Sequence, residues 1–257
     1  MRVSGRKLLM LAGLHRRAAE SLAERTSSLG GRRGEIELPR GQSLFDLGRD
    51  LLHVRVGIPA ILAHHKPVGV VTSRVGDGGL LPVFDSLPWP WLGSLVEPVG
   101  RLDADTSGLL LFAADGQLIH RLTHPRHGVE RLYEAELEPD LDAAGRERIL
   151  AGELTLRDGH IPRPTGLERL PEGRNRWRIG LSEGKYHEVR RMFAAAGSRV
   201  ARLRRTTYAG ITLAGLDRGA WRRLVDAEAE ALYGRVSLSP ADSVEAWIEP
   251  GATASPC

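Results

Sequence analysis

The sequence predicts an α+β protein: a small N-terminal module of helices and short strands, then a larger domain on a mostly antiparallel sheet. Three observations carry this. Apolar strand-like runs outnumber helical stretches and show no strand–helix–strand rhythm. An apolar fraction of 42% in 257 residues is ample for one large core with a small companion. The triplet Gly57-Ile58-Pro59 reads as a short linker between two stretches of different pattern.

Within residues 6–26, Leu8, Leu11, Ala12, Ala18, Ala19, Leu22 and Ala23 recur at three- and four-residue steps, which predicts helix. A basic turn follows, Leu29-Gly30-Gly31-Arg32-Arg33-Gly34, and Glu35–Leu38 and Leu51–Val56 read as strands. Beyond the linker the strand candidates are Ala60–Ala63, Val68–Thr72, Leu109–Ala113, Tyr133–Leu137 and Trp177–Leu181. Helix is expected over 115–122, 142–151, 186–196 and 217–225. The resulting division is 1–58, 59–238 and a tail, 239–257, whose Pro240, Pro250, Gly251 and Pro256 predict flexibility.

The charge pattern points to a polyanion. Of 36 basic residues only Lys7, Lys66 and Lys185 are lysine, and the net charge is +4. Residues 1–60 carry a net +5 and residues 185–205 a net +6, leaving the remainder acidic. Two basic regions on an acidic body suit nucleic acid docked on a folded surface. Aromatic content of 5% argues against a stacking surface for many unpaired bases. The single Cys257 excludes an intramolecular disulfide, and no apolar run approaches a membrane span. The run Leu8–Leu14 leads into His15-Arg16-Arg17 rather than a small-residue cleavage site, so it reads as a helix of a soluble, cytoplasmic protein.

The most informative stretch is Gly100-Arg101-Leu102-Asp103-Ala104-Asp105-Thr106-Ser107-Gly108, which runs into the apolar Leu109–Phe112. A glycine-bounded loop on a strand can aim an acid into a cleft while the strand holds it still. Three companions follow the same chain order: His65-Lys66-Pro67-Val68-Gly69 ahead of it, then Arg131-Leu132-Tyr133, then Gly184-Lys185-Tyr186-His187-Glu188-Val189-Arg190-Arg191. Together these four segments resemble the RsuA-type RNA pseudouridine synthases, over roughly residues 60–226. The N-terminal stretch resembles, more weakly, a degenerate S4 RNA-binding module.

The resemblance implies a pseudouridine synthase fold and the isomerisation of a uridine in ribosomal RNA, small-subunit (16S) rather than large-subunit. It implies Asp103 as nucleophile, Tyr133 packed on the target uracil, and Arg190 paired with Asp103. Arg101 would fill the place of the flipped base, and Val189 would pack under it. Lys66, Lys185 and Arg191, with Arg16, Arg17, Arg32 and Arg33 of the N-terminal module, are the expected RNA contacts. A carboxylate nucleophile must be ionised, which a nearby guanidinium favours. Glu188 stands where the family has Gln. No cofactor or metal is implied, and the expected partner is ribosomal RNA or a partly assembled subunit, met by a monomer.

Rival readings are weaker. Asp-x-Asp-Thr also occurs in phosphatases that use an aspartyl nucleophile with Mg²⁺, but no apolar strand leads into Asp103 and the later segment is basic rather than acidic. The histidines His120, His124 and His127 are interrupted by Pro125 and flanked by Arg121 and Arg126, a poor setting for a cation. A non-catalytic RNA-binding assembly factor would have no need of the combined Asp103, Tyr133 and Arg190.

Overall fold

The computed structural model describes residues 1–30, 34–87, 96–171, 173 and 175–249. Arg32 and Arg33 therefore lie outside the described residues, as does 250–257. The described residues fall into two units, one from Met1–Pro59 plus the segment after Ser239, the other from Ala60 to Ser239.

In the first unit, β1 (Arg2–Ser4) leads into α1 (Gly5–Leu11) and α2 (Arg16–Arg25), followed by β2 (Glu35–Glu37), β3 (Gly41–Asp46) and β4 (Leu51–Gly57). The helical stripe of 6–26 is thus two helices. Gly13 at φ +97° breaks the first, and the His15 imidazole caps the second by accepting the Ala18 N–H at 3.3 Å. Leu8, Leu9, Ala19 and Ala23 face a core shared with Leu52 and Val54 of β4.

The second unit begins with β5 (Ile61–Lys66), β6 (Val70–Val71), β7 (Leu81–Pro82), β8 (Glu97–Pro98) and β9 (Thr106–Ala113). It continues through α3 (Gly116–Thr123), β10 (Arg131–Glu138), α4 (Ala143–Ala151), β11 (Gly166–Arg169), β12 (Arg176–Leu181), α5 (Glu188–Ala195) and β13 (Arg199–Tyr208). It closes with β14 (Ile211–Thr212), β15 (Trp221–Arg223) and α6 (Asp226–Arg235). The sheet runs β11-β12-β10-β13-β9-β5-β15, with β14 on β13 and β8 on β9. Among the described residues its pairs are antiparallel except β9 with β13. Strands β5 and β9 are buried along their whole length, as strands covered on both faces must be. Met192 and Phe193 of α5 and Ile149 of α4 pack with Leu137, Trp177 and Ile179 of the sheet.

Two expectations fail. Residues 217–225 do not form a helix: Gly219 at φ +81° turns the chain, and Trp221–Arg223 pairs with His64, Ala63 and Leu62 as the sheet edge. The helix comes later, at α6, where the Glu228 carboxylate accepts the Val225 N–H at 3.1 Å and closes its first turn. The tail is not flexible over β16 (Ser243–Glu249), which returns to the first unit and pairs with β4 residue by residue, Ser243 opposite Gly57 through Glu249 opposite Leu51. Its alternation, with Val244, Ala246 and Ile248 turned to the N-terminal core, outweighs the flanking prolines.

His64 lies fully buried in β5. Its Nδ1–H donates to the Ala220 carbonyl at 3.0 Å, and Ser86 Oγ sits 3.1 Å from Nε2. Burial pushes its imidazole down to about 4, with His65 and Lys66 adding to the effect and the Ala220 bond opposing it. The unfolded chain therefore binds the extra proton first, at an ordinary histidine value near 6.5. Stability present above that pH should fall as pH drops toward about 4, by up to about 3 kcal/mol. Urea unfolding across this window checks it, and the profile of His64→Asn should be flatter.

Candidate active site

The loop around Asp103 is built by backbone constraints. Gly100 enters it at φ +76°, and a turn closes with the Thr106 N–H on the Asp103 carbonyl at 3.0 Å, where β9 begins. The residues on either side of Asp103 are held from the segment after β5. Buried Thr72 donates its hydroxyl to the Leu102 carbonyl at 2.8 Å and accepts the Leu102 N–H at 3.2 Å. The Gly69 N–H donates to the Ala104 carbonyl at 2.8 Å. Gly69 stands at φ +86°, a region other residues enter at a cost.

Lys66 organises that segment from inside. It is fully buried, and its Nζ donates to the Pro67 and Val70 carbonyls at 2.9 and 2.7 Å. Burial pushes its ammonium down to about 8, while Asp103 and Asp105 pull it up and Arg205 pushes it further down. Lys66 is therefore not an RNA contact in this structure: its donors are committed to the protein backbone, and it supports the loop from beneath.

A cleft of about 400 Å³ opens over Asp103. Arg101, Tyr133, Lys185, Val189 and Arg190 line it with Asp103, so half of the twelve residues expected from sequence converge there. Tyr133 is half-buried against the core of the second unit, Val189 is buried, and Arg101 and Lys185 are exposed.

Two further assignments change. Arg190 does not meet Asp103. Its Nη2 lies 2.9 Å from the Asp105 carboxylate and donates to the Asp105 carbonyl at 3.2 Å, while Nη1 donates to the Val200 carbonyl at 3.2 Å. From α5 the guanidinium reaches the downstream end of the loop, where Asp105 supplies both oxygens. Arg191 is not in the cleft either; it pairs with Asp158 at 2.7 Å. In the first unit Arg16 and Arg17 are both exposed, and Arg16 pairs with Glu20 at 3.1 Å.

The run 199–205, expected to face phosphate, is answered by β10. Register places Glu138, Glu136 and Glu134 opposite Arg199, Arg202 and Arg204, with ion pairs of 2.7, 3.4 and 2.6 Å. The alternation Glu134-Ala135-Glu136-Leu137-Glu138 was the sequence signal for this. Arg205 points the other way: it is buried, its Nε donates to the Leu109 carbonyl at 2.7 Å, and it lines the cleft.

Sequence reasoning passed over His187 and Arg131. His187 holds a left-handed backbone, φ 49° and ψ 31°, at the start of α5, and its Nε2 lies 3.4 Å from Asp103 Oδ1. Its non-glycine left-handed geometry beside an acid is a strain signature that no residue pattern announces. Arg131 is buried, and both its terminal nitrogens are hydrogen-bonded. It donates to the Val129, Ser182 and Leu122 carbonyls and the Tyr208 hydroxyl at 3.1–3.2 Å, with its guanidinium 4.7 Å from the Tyr208 ring centre. Glu188, buried where the family has Gln, accepts from His160 Nε2 at 2.8 Å and from the Lys185 N–H at 3.1 Å. His160, Glu183 and Glu188 are the described residues whose donor atoms are grouped closely enough for a cation. Here the His160–Glu188 hydrogen bond occupies that group, as a brace for the start of α5.

Residues 60–195 match the family described as RNA pseudouridylate synthase, and the chain belongs to that family. Among its relatives, the ribosomal large subunit pseudouridine synthases B of Salmonella typhi and of Escherichia coli strain K12 are each 40% identical over 191 residues. That alignment takes in 74% of this chain and 65% of theirs, so the chain spans somewhat less than two thirds of those relatives' length. The Pasteurella multocida protein of the same name is 39% identical over 181 residues, covering 68% of this chain and 51% of its own. A solved structure described as a pseudouridylate synthase superposes with a TM-score of 0.62 at 27% identity, covering 90% of this chain and 99% of that one. No helix among the described residues is long and apolar enough to cross a membrane.

Thr72→Val tests the loop support. It keeps shape but leaves the buried Leu102 N–H and carbonyl without their partner, which should cost about 1–3 kcal/mol. Urea denaturation measures the loss, and amide exchange at Leu102 should accelerate.

Proposed function

We propose that this protein converts a uridine of ribosomal RNA to pseudouridine, with Asp103 as nucleophile. The observation that carries the reading is a carboxylate whose two chain neighbours are pinned by backbone bonds, at the floor of a cleft walled by Tyr133 and Val189. The reaction breaks the N-glycosidic bond, turns the base and rejoins it through carbon. The base must first leave its stack, at a cost of a few kcal/mol. Exposed Arg101 is suited to enter the vacated space, since its planar guanidinium stacks as a base does. Tyr133 offers an aromatic face to the flipped uracil, and Val189 an apolar floor. Arg190 acts as a positioning residue, holding the downstream end of the loop through Asp105. The proposal extends to a monomer acting in the cytoplasm, where ribosomal RNA is found.

The sequence favoured small-subunit RNA, with large-subunit RNA as its alternative. The names of the relatives shift the proposal to the large subunit. Purified protein incubated with separate transcripts of the two ribosomal RNAs, followed by pseudouridine mapping, should show one modified uridine in the large-subunit transcript. Modification of only the small-subunit transcript reverses the assignment. Asp103→Asn should abolish product while leaving RNA affinity unchanged, because an amide is a poor nucleophile. Substantial turnover by that variant rejects Asp103 as nucleophile.

The first unit we propose to be an S4-like docking module. Its exposed Arg17 and net positive charge support phosphate contact. A phosphate contact releases counterions, so Arg17→Gln should weaken binding across RNA sequences and make the log–log salt slope shallower by roughly 0.7–0.9. An unchanged slope shows that Arg17 does not touch phosphate.

A further inference from the structure

Tyr186 is an aromatic side chain left in solvent at the edge of the cleft. It is 75% exposed, whereas Tyr208 and Tyr233 are buried and Tyr133 is half-buried. Its ring lies on the His187 imidazole, with centroids 3.8 Å apart and planes inclined by 16°. His187 is fixed in turn by its left-handed backbone at the start of α5 and by its contact with Asp103 at 3.4 Å. An exposed aromatic ring is thus held at a set angle, with one ring, that of His187, linking it to Asp103.

We infer that Tyr186, backed by His187, is a stacking platform for one unpaired nucleobase of the RNA, that of a nucleotide flanking the flipped uridine. This rests on the reaction proposed above and adds a base contact to it. Ring faces stack on any base, and tyrosine does so with few torsions to freeze. The charge around the platform fits a nucleic-acid strand. Arg101 and Lys185 are exposed on the same cleft, Lys185 no nearer than 4.0 Å to the Glu183 carboxylate. The distances also select a neighbour rather than the target base: the target must reach Asp103, and His187 stands between Asp103 and Tyr186.

The test compares wild type, Tyr186→Phe and Tyr186→Leu in binding a fluorescein-labelled short oligouridylate and an abasic phosphodiester chain of equal length. Wild type should bind the oligouridylate more tightly than the abasic chain. Tyr186→Leu should weaken oligouridylate binding by between about fivefold and about a hundredfold, and leave the abasic chain unaffected. Tyr186→Phe should bind like wild type, since the ring is kept. Thermal melts should coincide, because the side chain is exposed. The inference is overturned if wild type does not distinguish the two probes, if Leu binds as wild type does, or if Phe is as weak as Leu, which would assign a hydroxyl contact instead. Pseudouridine mapping with wild type separates the two readings. Unmodified RNA together with a Leu-specific binding loss removes the reaction and keeps the platform; modified RNA with no Leu effect does the reverse.

Discussion

The parallel contact between β9 and β13 at Gly108 is the constraint on which the site depends. A Cβ at this position would lie 2.2 Å from the Arg205 carbonyl oxygen and 2.6 Å from its nitrogen, and the backbone stands at φ +114°. Only glycine meets both conditions. Because the strands approach so closely, Thr106 and Ser107 pair with Leu203 and Arg204. That pairing fixes where β9 starts, and hence where the turn bearing Asp103 projects. The same approach sets Leu203 and Arg205 into the cleft wall and brings the loop within reach of Arg190. The second glycine of the loop motif thus serves a neighbouring strand rather than a ligand.

Electrostatics around the site are organised by register. The carboxylates of β10 face the arginines of β13, and Glu134 alone takes Arg176 at 3.0 Å and Arg204 at 2.6 Å. Exposed pairs of this kind contribute about 0–1 kcal/mol each, so they do little for stability. Their consequence is to remove most of the free charge from a segment that is strongly basic in sequence. Among the described residues, Arg101 and Lys185 stay exposed at the cleft, where the proposed RNA substrate would approach Asp103. The molecule's attraction for a polyanion is thereby concentrated rather than spread along a strand.

Much of this was legible in the sequence. The helix expected at 142–151 and the strands expected at 133–137 and 177–181 follow from periodicity, and motif order marks the three segments around Asp103, Tyr133 and Val189 that line one cleft. Features depending on distant partners were not. β16 reads as part of a proline-flanked tail until β4 is there to receive it. Trp221-Arg222-Arg223 suits a helix as well as an edge strand, and its pairing with β5 decides the matter. Lys66 carries a charge that suggests phosphate, but its ammonium donates instead to two carbonyls of the chain, those of Pro67 and Val70. Arg190 has a length and position compatible with either aspartate, and the direction of α5 selects Asp105.

These corrections amount to a division of labour along the loop. Leu102 and Ala104 are held through their backbones, by Thr72 and Gly69, and Asp105 is held by Arg190. The Asp103 carboxylate meets the His187 ring, and it takes no part in these restraints. A site arranged in this way keeps its shape independently of the chemistry of its central side chain, which is the condition for presenting a nucleophile in a fixed direction. Had Arg190 gripped Asp103 in the free protein, the carboxylate we propose as nucleophile would also shape the loop, and it would have to give up a structural bond to attack. Supporting the loop from its neighbours avoids that conflict. It also accounts for the contrast between Lys66, Thr72, Arg131 and Glu188, which are buried and bonded within the protein, and Arg101, Lys185 and Tyr186, which remain open to solvent: the first group sets the geometry of the cleft, and the second is the face we propose for RNA.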